Sequence, residues 1–149
     1  MSFQFPLKSA CPHIIIVHLG GNDLTSIDCH PRELADKYVD FYAGAARIVI
    51  FSSVVRRSNP RGVNKYEFAK LVAQFNQRLK QRADGVRTLY FRHDRLHNHL
   101  AADGVHLNFK GERRLLFSYN HAIAAGRRAL EKEPVYRVVF SGAVYTSFE

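Results

Sequence analysis

Three times along this chain a short apolar run, rich in β-branched residues, gives way to a stretch whose apolar residues recur every three to four positions. Ile14-Ile15-Ile16-Val17 is followed by Leu34, Tyr38, Phe41 and Ala45. The Ile, Val and Phe residues of 47–55 are followed by Phe68, Leu71, Val72, Phe75 and Leu79, and the segment 86–91 by Leu115, Leu116, Tyr119, Ile123 and Leu130. The first pattern suits a strand buried on both faces and the second an amphipathic helix. Strands separated by single helices pair in parallel, through right-handed crossovers, with helices on both faces of the sheet. The expected elements are strands over 13–19, 47–55 and 86–91, with helices over 31–44, from Asn64 to about Arg82, and from Asn108 towards Pro134. Pro31 suits a first helical turn, and Asn64 with Glu67 three positions later forms a capping box. Asp84-Gly85 stops the second helix. Residues 135–145 read as a last strand, or as a hairpin bending near Gly142.

A chain of 149 residues with 46% hydrophobic content fits one domain with its own core. No run approaches the roughly 18 apolar residues of a membrane span. Residues 1–11 lack the pattern of a signal peptide, so the default expectation is an intracellular chain. Cys11 and Cys29 have neither metal-like nor redox spacing and read as free thiols. The formal charge of +9 favours polyanionic partners. Its sources are scattered, through Arg56-Arg57, Arg78 to Arg82, Arg113-Arg114 and Arg127-Arg128, which reads first as a solvated basic surface.

In parallel α/β sheets, ligands bind beyond the carboxyl ends of the strands. Gly20-Gly21-Asn22-Asp23 follows the first strand and Asp103-Gly104-Val105-His106 follows the third, which places both on that rim. There His106 can act as a general base, and Asp103 can fix its tautomer. Asn22 can donate its amide to a developing oxyanion, a contact worth about 3 kcal/mol. Gly20 and Gly21 let backbone approach a substrate closely. Taken singly, Asn22-Asp23 and Asp103-Gly104 are also ordinary turn pairs. His93 and His97 have the i, i+4 spacing of a zinc pair, but the segment lacks helical pattern and a third ligand. It reads as a solvated loop that shapes the pocket, and neither metal nor cofactor is expected.

Gly20, Gly21, Asn22 and Asp23, followed far downstream by Asp103 and His106, resemble two signature blocks of the SGNH hydrolases, the GDSL-type esterases and lipases. The resemblance covers about residues 13–130. It implies a three-layer α/β, flavodoxin-like parallel sheet, N-terminally truncated so that the chain begins at the family's third strand. It also implies His106 as base, Asp103 as its orienter, Asn22 as oxyanion donor and a small-molecule ester as substrate. The family's Gly-Asp-Ser nucleophile block is absent from the chain. Ser141, in Ser141-Gly142-Ala143, is the weak substitute. The expectation is therefore an ester hydrolase that is incomplete as it stands, with the serine supplied by Ser141, another subunit or a longer parent. The alternatives are a non-catalytic basic module for nucleic acid, since domains of this family also occur in some retroelements, and a fragment that folds poorly alone. In the family's strand order 2-1-3-4-5, loss of the first strand bares the apolar strand 14–17. Either residues 135–145 fill that slot, or a homodimer forms through the exposed edge.

Overall fold

The structure, a computed structural model, describes residues 12–26 and 28–132, together with the backbone of two strands at 137–140 and 143–146. Strand β1 (Ile14–Val17) leads to helix α1 (Pro31–Tyr42), strand β2 (Ile48–Ser52), helix α2 (Lys65–Arg82), strand β3 (Thr88–Phe91), helix α3 (Phe109–Glu131), and the strands β4 (Arg137–Phe140) and β5 (Ala143–Thr146). The strand–helix alternation expected from periodicity is therefore the architecture of the first three strands and helices. They form a parallel sheet in the order β1-β2-β3, in register Ile14↔Ile48 to Val17↔Phe51 and Val49↔Thr88 to Ser52↔Phe91. Each strand is shorter than the span expected for it, because a ladder ends where its neighbour does.

β2 is central and every one of its residues is buried. Alternation along it divides the core in two. Val49 and Phe51 face α1 and α2, where they pack with Val39, Phe68, Val72 and Phe75. Ile48 and Ile50 face α3 and meet Ala122, flanked by Ile14, Ile16 and Leu89. Burying each large side chain of this set contributes about 1.5–3 kcal/mol. Helices α2 and α3 start where capping chemistry predicts. Asn64 Oδ1 accepts from the backbone N–H of Tyr66 and Glu67, at 3.0 and 2.8 Å. Asn108 Oδ1 accepts from Gly111 at 2.8 Å. α1 and α2 are also tied by charge: Asp36 accepts from Arg78 Nε and Arg82 Nη1, both at 2.8 Å.

Three expectations are corrected. The stripe assigned to α3 meets the core only in part: Leu130 packs against it, and Leu115, Tyr119 and Ile123 are half-buried. Gly111, Ala122 and Gly126 are buried, while Leu116 is exposed. The helix lies close to the sheet: a Cβ at Gly126 would stand 3.1 Å from Ile50 Cδ1 and 3.2 Å from Ile14 Cδ1. Small residues make that approach possible, and they carry little periodic signal. Next, β4 and β5 pair antiparallel with each other, as the hairpin alternative anticipated, in a separate sheet from β1. The slot beside β1 is thus not filled by β4 or β5, and among the described residues β1 pairs with β2 alone. Finally, the segment after β3 is not wholly a solvated loop, because His93 is buried.

Candidate functional site

The rim beyond the strand ends is built from three loops. After β1, Gly20 takes φ +117°, a conformation that favours glycine, and its carbonyl accepts from Leu24 N–H at 2.9 Å. A Cβ there would stand 3.0 Å from the Phe75 ring. This turn places Asn22 at the surface and Asp23 at the start of a single 3-10 turn, Asp23–Thr25. Asp23 accepts from the Tyr38 hydroxyl.

The loop ahead of α3 folds back on itself. Leu100 and Leu107 form an isolated antiparallel bridge, and Ala101 N–H donates to His106 O at 2.7 Å. Asp103 sits at its tip. Its Oδ1 accepts from Val105 N–H at 2.9 Å and His106 N–H at 3.0 Å, and its Oδ2 lies 2.5 Å from His106 Nδ1. The His106 contact first, then the two backbone donors, hold the Asp103 carboxyl well below the usual carboxylate range. An ionised carboxylate only accepts, so Nδ1 carries the proton and Nε2 presents its lone pair outward. The local i, i+3 spacing thus yields the base and orienter that the sequence pattern suggests.

The third loop, after β2, joins the other two. Ser58 and Asn59 N–H donate to Gly104 O at 3.0 and 3.2 Å. Gly104 has φ +69°, and a Cβ on it would meet Ser58 Oγ at 2.6 Å. The neighbouring Arg57 lies with its guanidinium 5.4 Å above the Phe68 ring, and its Nη2 donates to Asn22 Oδ1 at 3.0 Å. A Cβ at Gly21 would stand 2.7 Å from that same Nη2. Gly21 therefore makes room for Arg57.

Gly20, Gly21, Asn22 and His106 line one cavity of about 1140 Å³, with Arg57 beside them and Phe41 and Tyr42 on an apolar wall. Asp103 stands behind His106 as its partner. Ser141 lies outside the described residues, and no described serine lines the cavity. The zinc pair does not form: His93 Nδ1 is 2.6 Å from Ser118 Oγ, whereas His97 Nε2 is 3.2 Å from Arg56 Nη2. Among the described residues, no group of three or more His, Cys, Asp or Glu is placed to hold a metal ion.

Two residues of the site escape the sequence reading. Arg57 was visible only as one cation in a basic loop. His18, which lines the cavity floor, directly follows β1, and that position at a strand's carboxyl end was the available signal. Its Nδ1 is 2.5 Å from the Tyr119 hydroxyl, and its ring stacks on His93 with centroids 5.2 Å apart. Burial lowers the pKa of His18. Burial first, then the neighbouring His18, push His93 down to about 4.

Fold and cavity together define an α/β domain with a His–Asp dyad and a side-chain amide at the carboxyl rim of a parallel sheet. No family model, curated protein or solved structure matches the chain.

Proposed function

We propose that the cavity is an acyl-ester-hydrolysing site of the SGNH type, carried on a flavodoxin-like parallel sheet. The supporting observation is the Asp103–His106 contact at 2.5 Å, with His106 lining the same cavity as Asn22. In this reading His106 Nε2 takes a proton from an attacking hydroxyl as its oxygen bonds to the ester carbonyl carbon. The carbonyl electrons move onto its oxygen, which accepts from Asn22 Nδ2. The tetrahedral intermediate collapses, the ester C–O bond breaks, and the imidazolium returns its proton to the leaving alkoxide. Asp103 stabilises the imidazolium between these steps. The attacking hydroxyl is that of water, or of a serine outside the described residues such as Ser141; in the second case a water, deprotonated by His106, then repeats the steps on the acyl-serine, releasing the acid and returning the proton to the serine oxygen.

Hydrolysis of p-nitrophenyl acetate by the intact chain tests the reading. The expected result is turnover that falls about 10²- to 10⁴-fold in His106→Ala and about 10²- to 10³-fold in Asn22→Ala. Turnover unaffected by His106→Ala, or absent from folded protein, sinks the proposal. A fluorophosphonate probe separates the two nucleophiles: labelling that disappears in Ser141→Ala means serine, and an unlabelled but active protein means water.

A further inference from the structure

While Leu130 of α3 packs against the core, three other large apolar side chains of the helix turn to solvent. Its core contact is made by Ala122 and Gly126, with Ala129 and Leu130 beside them. Phe109, Leu116 and Phe117 are 74%, 64% and 67% exposed. Cations are interleaved with these rings. Arg113 lies 5.8 Å above the Phe109 ring, and Phe117 packs edge-on against His121 with centroids 4.8 Å apart. Phe109, Lys110, Arg113, Arg114, Phe117 and His121 line a groove of about 870 Å³ between α3 and the end of β3. Arg92 also lines it and pairs with the groove's carboxylate, Asp94, at 3.2 Å. Lys110, Arg113 and Arg114 have no carboxylate partner of this kind among the described residues. Their field extends to the adjacent loop, where burial first, then Arg114 and Lys110, lower the pKa of His99.

We infer that this face of α3 binds single-stranded nucleic acid, with Phe109 and Phe117 stacking on bases and Lys110, Arg113 and Arg114 meeting phosphates. Exposed aromatic rings beside exposed cations are the chemistry that such strands need: every base offers a π-face and every linkage a negative charge. From residue 109 to residue 121 the helix rises about 18 Å, enough for a short run of nucleotides. The net charge of +9 favours any polyanion, and the rings decide the point, because the Asp and Glu side chains that make a peptide acidic carry no aromatic face, whereas every base does. A second copy of the chain fits poorly. A twofold interface places the same patch on both subunits, so these cations would face one another. The inference is independent of the hydrolytic reading, since it uses a different groove.

Fluorescence anisotropy with a short labelled oligothymidine or oligouridine tests it on the full chain, with inorganic polyphosphate and polyglutamate as competitors. Both oligonucleotides are expected to bind, and the preferred one identifies DNA or RNA as the source. The logarithm of affinity should fall against the logarithm of salt with a slope near −2, for three phosphate contacts to a single strand. Phe109→Ala and Phe117→Ala should each weaken binding roughly tenfold. Both side chains are exposed, so these variants are expected to keep the parent's thermal unfolding. Binding insensitive to both substitutions, equal competition by polyphosphate or polyglutamate, or no binding at low salt would overturn the inference. So would light scattering that shows a dimer dispersed by Phe117→Ala without any nucleic-acid affinity.

Discussion

Arg57 Nη2 donates to Asn22 Oδ1 at 3.0 Å, joining residues 35 positions apart. A guanidinium has only donors, so the contact commits the amide oxygen of Asn22 to Arg57 and leaves Nδ2 as the end that can serve a ligand. Burial lowers the pKa of Arg57, an effect offset by the field of Asp103. One cation thereby senses both halves of the proposed site. Arg57→Met should cut kcat for ester hydrolysis about tenfold with little change in KM, the worth of one oriented hydrogen bond. Arg57→Lys should recover only part of it, since an ammonium lacks the planar fork. A change confined to KM would show that Arg57 contacts substrate and does not orient Asn22.

The two glycines of the rim should separate stability from function. In Gly21→Ala the new methyl meets only the flexible end of Arg57, at 2.7 Å. The expected cost in urea unfolding is under about 1 kcal/mol, with catalysis reduced as in the Arg57 variants. In Gly104→Ala the methyl meets Asn59 backbone nitrogen at 2.9 Å, on a residue at φ +69°. That substitution should cost about 2 kcal/mol or more. Equal losses in the two variants would contradict the assignment.

The imidazole cluster makes folding stability depend on pH. His93 titrates at about 4 in the fold, against an ordinary value of 6.5. It faces His18, Phe91, Ser118 and Tyr119, none of which carries negative charge. Between those two pH values the unfolded chain binds more protons than the folded one, so stability is lost as pH falls from about 6.5 towards 4. The loss expected from His93 is about 2 kcal/mol, discounted for solvent reaching the cluster. Urea unfolding at stepped pH should show this slope, and His93→Gln should flatten it. An unchanged slope would assign the dependence elsewhere.

The Asp36 network tests what holds α1 to α2 beyond their apolar faces. Asp36 bonds to Arg78 and Arg82, and Arg82 also bonds to Asp40 at 2.5 Å. These groups lie near the surface, so Asp36→Asn should cost only about 1 kcal/mol, and less in high salt. Thermal unfolding at two salt concentrations measures both. A salt-independent loss would point to packing in place of charge.

Features set by neighbours in the chain were legible before any fold was known. Asn64 and Asn108 cap helices through N–H groups two or three residues ahead. Asp103 and His106 meet because a tight turn of three residues' span brings them together. The alternation of apolar runs and helical stripes announced the parallel sheet, because burial on both faces demands such runs. Within the α3 stripe Leu116 alone turns outward, for the converse reason. Leu116 has helical spacing with its neighbours, yet spacing defines a face without saying what that face meets.

The chain's local pattern thus determined the elements, their caps and the His–Asp dyad. Tertiary structure alone decided that Arg57 would hold Asn22, that His18 would stack on His93 across 75 positions, and that α3 would turn Ala122 and Gly126 to the sheet and Phe109 and Phe117 to solvent. Those contacts depend on which loop ends and faces the packed sheet brings together. Close packing selects them by shape and volume, quantities that sequence spacing does not encode.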